Sequence, residues 1–223
     1  MSKALRLRVS PATLPSAAPR ETRRRAMADA RRDHILDAAR DAFFDLGLEG
    51  ASLREIAKRA GYTPGALYSY FASKEEVYAA LLAESLERLN ATVTTAAGKG
   101  SGAIALRVRA GAFFEFYRDN PRDLDLGFYL FHGMQPRGLT PAWNRRLNER
   151  LRDALRPAED ALVALGFDAS QAATEVTALF AHIVGVLVLS HTGRIRMFRQ
   201  TADDLVQRYL DDLRRRAPRA RER

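Results

Sequence analysis

The chain has 223 residues, of which 47% are hydrophobic and 28% charged, and this balance is typical of a soluble globular protein of one or two domains. The absence of cysteine excludes disulfide bridges, a thiolate nucleophile and cysteine-ligated metals. The longest apolar run, 176–189, contains His182 and is shorter than the roughly 20 residues that a membrane-spanning helix needs. The start of the chain also lacks the apolar block of a secretory signal, so the composition predicts a cytoplasmic protein.

The net charge of +9 is concentrated at the two ends of the chain. Residues 1–26 carry seven basic side chains against one glutamate, residues 214–223 carry six against one, and residues 27–213 are left with a net charge of −2. We expect both ends to be solvated, disordered tails, although basic tails also follow nucleic-acid phosphates without reading sequence. A non-specific nucleic-acid-binding protein is therefore one alternative, and specific recognition must come from the middle of the chain.

Helical periodicity begins near residue 31 and predicts three helices of unequal length and the start of a fourth within about fifty residues. The first has apolar residues three or four positions apart and ends at a glycine, and these residues are Ile35, Ala39, Phe43, Leu46 and Gly47. The following three each come directly after a side chain that caps helices, namely Ser52, Thr63 and Ser73. Pro64 suits the first position of the third helix.

Residues 51–74 combine a capped helix, a glycine turn and a second capped helix, which is the arrangement of a helix-turn-helix. The segment reads ASLREIAKRAGYTPGALYSYFASK. It resembles the amino-terminal domain of the TetR family of transcriptional regulators, and the resemblance covers roughly residues 31–78. It rests within the segment on Ser52, Ile56, Ala57, Ala60, Gly61, Gly65, Leu67, Tyr68, Phe71 and Lys74, and before it on Ile35, Ala38, Ala39, Phe43 and Gly47.

The resemblance implies a DNA-binding surface made of Arg54, Thr63, Gly65, Ala66, Tyr68, Tyr70 and Lys74. Small residues at 65 and 66 let the second helix approach the major groove, and the tyrosine hydroxyls bond phosphate oxygens. Lys74 stands in the first turn of a helix, where the macrodipole disfavours a cation, and a phosphate ligand accounts for its presence there. The alternatives are a solvated Arg54 and tyrosines that only pack.

The rest of the chain predicts further helices and no clear strand, so the expected fold class is all-α. A buried helix covers 104–117, Thr140 and Pro141 open a long helix that Pro157 kinks or interrupts, and Asp168 caps the next one. The last helix starts near Thr201 and has an apolar face made of Leu205, Val206, Tyr209, Leu210 and Leu213.

Nothing in the second half of the chain has the spacing of an enzyme motif or a metal site. The four histidines lack metal-ligand spacing, so we expect no enzyme activity, no cofactor and no metal. Aromatic residues are dense instead, and ordinary core packing accounts for most of them. By the resemblance these helices enclose an effector cavity, with a wall that includes Phe113, Tyr117, Phe128, Phe131, His132 and Trp143.

The sequence thus predicts four segments: a basic tail (1–26), a helix-turn-helix DNA-binding domain (27–78), a helical effector-binding and dimerisation domain (79–213) and a second basic tail (214–223). The resemblance implies a repressor that binds a palindromic operator as a homodimer through its last two helices, whose apolar faces are broad. A largely hydrophobic or aromatic effector with one polar end would release it. A transcriptional activator of the same fold is the alternative.

Overall fold

The computed structural model describes residues 18–98, 100–128 and 139–218. Within these ranges the chain forms nine α-helices, one short 3₁₀ helix and no strand, which confirms the all-α class. The α-helices are α1 (Ala18–Gly50), α2 (Leu53–Arg59), α3 (Pro64–Tyr68), α4 (Lys74–Ala97), α5 (Gly102–Asp119), α6 (Pro121–Phe128), α7 (Pro141–Ala164), α8 (Ala169–His191) and α9 (Ala202–Arg216). The 3₁₀ helix, Arg194–Phe198, joins α8 to α9 and is not predicted by the sequence.

Six helices begin at the capping residues that the sequence predicts. In each case the side chain accepts a hydrogen bond from the backbone N–H three residues later, and the capping residues are Ser52, Thr63, Ser73, Thr140, Asp168 and Thr201. At Asp168 the bond is reciprocal, because the Gln171 side chain accepts from the Asp168 N–H at 3.1 Å. Local side chains therefore define where these helices start.

The ends of the chain are more helical than the sequence predicts. Residues 18–26, expected to lie in a disordered tail, are the first turns of α1, and residues 214–216 are the last turn of α9. Residues 20–31 are all exposed, so this stretch has no apolar periodicity from which a helix could be predicted. Residues 1–17 and 219–223 lie outside the described part of the chain.

Gly47 interrupts α1 where the sequence predicts that the first helix ends. Its φ of +73° is a left-handed value that a side chain would strain, and one further helical turn follows it. Ile35, Ala39 and Phe43 are buried as expected. Leu46, the last residue of the predicted apolar stripe, is instead 44% exposed, because the main chain turns away there.

Helix α4 is the centre of the larger domain and packs against α5 and α7. Two side chains cross between α4 and α7: the Asn90 amide donates to the Arg150 carbonyl at 2.9 Å, and the Arg150 guanidinium donates to the Ala83 carbonyl at 2.8 Å. Helix α7 continues through Pro157, where the sequence predicts a kink or interruption. The Pro157 carbonyl accepts a hydrogen bond from Arg109 at 3.1 Å.

The apolar stripe of α9 lies mostly inside this chain. Val206, Leu210 and Leu213 are at most 3% exposed, which corrects the expectation that this stripe is a free face for a second copy. The physical reason is that α9 packs back onto α5 and α8. Between residues 172 and 190 the exposed positions of α8 are small residues, namely Thr174, Thr177, Ala178, Ala181 and Gly185.

Helix α8 is, among the described helices, the one that is long and apolar enough to cross a membrane. It has 23 residues. The sequence analysis considered only the uninterrupted apolar run 176–189 and therefore underestimated the length of this apolar helix. Only 33% of its most apolar stretch is buried inside the chain. Core helices of soluble proteins meet the same criteria, and a single helix of this kind is weak evidence for a membrane span.

Candidate nucleic-acid interface and aromatic cluster

Helices α2 and α3 form a rigid unit whose inner side is fully buried. Ile56 of α2 and Leu67 of α3 are both 0% exposed, and Phe71 closes the same core just after α3. Arg59 ties α2 to α1, because its guanidinium donates to Asp45 at 2.6 Å and to Glu55 at 3.0 Å. These two hydrogen bonds also raise the pKa of Arg59. The short helix α3 is therefore held against α2 by burial, and α2 is joined to α1 by the ion pair between Arg59 and Asp45.

The outer side of the same unit presents most of the predicted DNA-binding residues. Arg54, Thr63, Gly65 and Tyr68 are exposed, and Tyr68 is exposed to 58% although it is a large aromatic residue. The Thr63 hydroxyl accepts from the Ala66 N–H at 3.2 Å, which leaves its own proton free to donate. Ala66 and Tyr70 are half-buried. These six of the seven predicted residues are therefore exposed or half-buried on the surface of the helix-turn-helix segment.

Gly65 occupies a position where the protein itself does not require a glycine. Its φ is not in the left-handed region, and a Cβ built on it would meet nothing within 4 Å. Glycine in a helix costs up to about 1 kcal/mol relative to alanine. Internal packing therefore does not account for the glycine at this position.

Lys74 is explained inside the chain, which corrects the interpretation drawn from its helix position. Its ammonium donates to the carbonyl of Leu48 at 2.8 Å and to that of Glu49 at 3.4 Å. These carbonyls end α1, where the helix dipole is negative and a cation is favoured. A phosphate is therefore not needed to account for Lys74, and the sequence could not reveal this because the partners lie 25 and 26 residues away.

An aromatic cluster lies at the centre of the larger domain. Phe113 and Tyr117 of α5 have ring centroids 5.2 Å apart, and Phe128 at the end of α6 lies 5.5 Å from Tyr117. Phe180 of α8 completes the cluster, 5.9 Å from Phe113 and 5.8 Å from Phe128. The structure thus brings together three of the predicted cavity residues and adds Phe180, which the sequence analysis missed.

The hydroxyl of Tyr117 is a buried polar group within this cluster. Tyr117 is 1% exposed. Burial, with a smaller contribution from the carboxylate of Asp123, raises the pKa of Tyr117, so the hydroxyl stays protonated at neutral pH. A Cβ built on Gly127 would lie 3.7 Å from this oxygen. The backbone at Gly127 therefore passes close to the hydroxyl.

The other predicted cavity residues are not part of this cluster as described. Trp143, in the first turn of α7, is half-buried against the core, and the Arg146 guanidinium lies 5.3 Å from its ring centroid. Phe131 and His132 lie outside the described residues. Two further histidines act as structural residues, since His34 lies 3.1 Å from the Ala60 carbonyl and His182 stacks on Tyr209 at 4.3 Å.

Helix α6 connects the aromatic cluster to α1. Its last residue, Phe128, belongs to the cluster, and Arg122 near its start lies on α1. The Arg122 guanidinium is 4.2 Å from the Phe44 ring centroid and 3.5 Å from an oxygen of Asp41. The Tyr78 hydroxyl of α4 donates to the Leu126 carbonyl of α6. A movement of Phe128 would therefore reach the small domain through one short helix.

Comparison with known proteins identifies the first domain. The family model described as bacterial regulatory proteins, tetR family, matches residues 35–81. The HTH-type transcriptional activator FasR of Mycolicibacterium smegmatis is 35% identical over 101 residues, which are 45% of this chain and 46% of that relative. The chain therefore spans about half the length of the curated relative that it matches.

Solved structures resemble the whole chain in fold. A bacterial regulatory protein of the tetR family from Rhodococcus RHA1 has a TM-score of 0.66 and 21% identity, covering 85% of this chain and 98% of its own. The regulator FadR from Bacillus subtilis, in complex with stearoyl-CoA, has a TM-score of 0.62 and 18% identity, covering 81% and 96%. At these identities the likeness establishes the fold: a helix-turn-helix domain followed by a larger helical domain.

The cost of glycine at position 65 can be measured directly. We expect Gly65→Ala to keep or raise the free energy of unfolding, by up to about 1 kcal/mol, and to weaken binding to duplex DNA because the new methyl group faces the groove. Gly98→Ala is the matched control, since it also has an ordinary φ and nothing within 4 Å of its Cβ. Urea unfolding and fluorescence anisotropy on duplex DNA provide the measurements. Unchanged DNA affinity in Gly65→Ala would refute the close approach.

Proposed function

Because residues 35–81 match the family model of bacterial regulatory proteins, tetR family, we propose that the chain is a ligand-responsive repressor of that family that binds a palindromic operator as a homodimer. The observation that carries the proposal is the presentation of α3, which is anchored by the buried Leu67 and turns Gly65 and Tyr68 to the outside. The protein acts in the cytoplasm, where the DNA is. Nothing in this role requires a cofactor.

The residues around α3 have two roles in the proposed DNA binding: some give access to the bases, and others contact the phosphates. Gly65 and Ala66 give the helix close access to base edges in the major groove. Arg54, Thr63, Tyr68 and Tyr70 carry donors suited to phosphate oxygens, which fix the register on the duplex. We assign Lys74 a positioning role, because its hydrogen bonds to the end of α1 hold the start of α4.

A single helix of five residues contacts too few bases for specific binding, so two copies are needed on two half-sites. We propose that the copies meet through the exposed face of α8, with α9 beside it, as a four-helix bundle. Small residues on that face allow two helix backbones to approach closely. The same face meets itself in a two-fold pair, so one patch of surface is sufficient.

The interface can be tested with a charge. Ala181→Glu places two carboxylates close to the two-fold axis, and burying unpaired charges costs several kcal/mol, so we expect mostly monomers and at least a tenfold loss of operator affinity. Ala91→Glu, at an exposed position of α4, is the matched control and should remain dimeric. Sedimentation velocity and anisotropy on the operator report the two quantities. A dimer that persists in Ala181→Glu would place the interface elsewhere.

We propose that the effector is an amphiphile whose apolar part enters the aromatic cluster and whose polar part bonds the Tyr117 hydroxyl. The cluster offers apolar walls from α5, α6 and α8 and a neutral donor at their centre. A fold relative, FadR from Bacillus subtilis, is seen with stearoyl-CoA, which makes acyl compounds a reasonable first probe. Phe131, His132 and Trp143 remain proposed wall residues.

The proposed route of release runs through α6. An effector between the rings displaces Phe128, α6 follows, and Arg122 moves the end of α1 that carries Asp41 and Phe44. The two α3 helices then lose the spacing that the operator requires. A coupling free energy of about 1–3 kcal/mol is typical for such a response, which is within reach of one displaced aromatic side chain.

Tyr117→Phe separates a binding role from a structural one. Because Tyr117→Phe keeps the ring and removes only the hydroxyl, we expect the free energy of unfolding of the ligand-free protein to change by no more than about 1 kcal/mol. Loss of one hydrogen bond of about 0.5–1.5 kcal/mol should weaken stearoyl-CoA or stearate binding about 2- to 12-fold. Tyr209→Phe is the control. Trp143, the single tryptophan of the chain, provides the emission signal for titration. Equal affinity in Tyr117→Phe would remove this residue from the site, and no binding of either probe would refute an acyl effector.

Activation is a second candidate, because the relative that is 35% identical is a transcriptional activator. The sign of regulation depends on where the operator lies relative to the promoter. We expect transcription in vitro from the adjacent promoter to fall at least fivefold when the protein is added and to recover with effector. A rise in transcript on addition of the protein would make it an activator. The Arg54→Ala variant, weakened on DNA, is the control for promoter-independent effects.

A further inference from the structure

The first turns of α1 form a basic helix that does not pack on the rest of the described chain. Every residue from 20 to 31 is exposed. This stretch, which we name the arm (residues 18–32), carries six arginines, Arg20, Arg23, Arg24, Arg25, Arg31 and Arg32, against two acidic residues, Glu21 and Asp29. Its one recorded ion pair joins Arg25 to Glu21 at 3.0 Å. Most of its positive charge is therefore directed to the solvent.

The base of the arm lies beside the two ends of the recognition helix α3. The Arg32 guanidinium is 5.2 Å from the ring centroid of Phe71, which follows α3. His34 lies 3.1 Å from the Ala60 carbonyl and 6.1 Å from the ring of Tyr62, which precedes α3. The arm therefore leaves the protein next to the surface on which Gly65 and Tyr68 are exposed.

The arm precedes the part of α1 that contacts the larger domain. Farther along α1, Arg40 pairs with Glu84 of α4 at 3.3 Å, and Asp41 pairs with Arg122 of α6 at 3.5 Å. The recorded interruption of α1 is at Gly47, so the helix is regular from residue 18 to that point. Residues 40 and 41 of α1 thus contact the larger domain, and the helix extends about 24 Å from His34 to its first residue.

We propose that the arm is a helical DNA clamp that binds backbone phosphates beside each operator half-site. The proposal rests on the proposed function, since the arm is placed by the same domain that carries α3. Charge complementarity selects a polyanion, and DNA carries one charge per 1.7 Å of its axis. A membrane surface does not fit, because the large apolar side chain of the arm is Met27 alone and a membrane helix needs an apolar face.

The clamp predicts a specific salt dependence. We compare the full-length protein with Arg20→Gln/Arg23→Gln/Arg24→Gln, and use Arg214→Gln/Arg215→Gln/Arg216→Gln as a control of equal charge. The control site lies at the end of α9, where Arg216 pairs with Glu175 near the start of α8. Operator and scrambled duplexes are titrated at several salt concentrations by fluorescence anisotropy, and circular dichroism checks the fold.

Each phosphate contact adds about 0.9 to the slope of log K against log salt. We expect the arm variant to lose 1–3 units of slope on both duplexes and to keep its operator preference, while the control keeps the slope of the unchanged protein. Equal slopes in arm variant and unchanged protein would overturn the clamp, and so would an equal loss in the control. Failure of the unchanged protein to prefer operator over scrambled DNA would instead overturn the proposed function.

Discussion

The position of the recognition helix is governed by the seat of α1 on α4 and α6. Phe43 packs edge-on against Tyr78 of α4, with ring centroids 6.2 Å apart, and Arg122 of α6 lies on Phe44. The ion pairs at this seat are partly exposed and contribute at most about 1 kcal/mol each. Burial raises the pKa of Glu84 although the positive charge of Arg40 acts in the opposite direction. The attraction between these two side chains therefore does not offset the cost of burying the carboxylate, so the ion pair is weak. Ring packing between α1 and its neighbours therefore contributes more to this seat than the ion pairs do.

The sequence predicts those parts of the fold that depend on neighbours along the chain. The six caps and, apart from Leu46, the buried stripe of α1 are correct because a helix start or an apolar period is a local property. The sequence does not predict the helical arm because the arm has no apolar stripe. It is helical because it continues the packed part of α1 toward the start of the chain. Phe180 is missed for a related reason: α8 is apolar nearly all round, so tertiary packing alone decides which side chains face the cluster.

Lys74 and Leu210 show that a correctly predicted element does not reveal what its side chains contact. Both positions lie on predicted helices, and both have partners far away in the sequence: the end of α1 for Lys74 and the interior of the chain for Leu210. A cation at a helix start requires a negatively charged or carbonyl partner, and an apolar stripe at the end of a chain requires an apolar surface to pack against. The sequence does not say whether the protein itself or a partner supplies the groups that such residues contact.

The exposed arm makes the purified protein sensitive to proteolysis. An unpacked helix opens locally at almost no free-energy cost, and the arm offers several arginines to trypsin-like proteases. Cleavage after Arg25 would remove seven basic residues and one glutamate and lower the net charge from +9 to +3. The buried domains would remain intact, so a trimmed sample would elute as a single folded species with a much shorter retention on a cation-exchange column. Preparations of this protein are best compared by intact mass before their DNA affinities are compared.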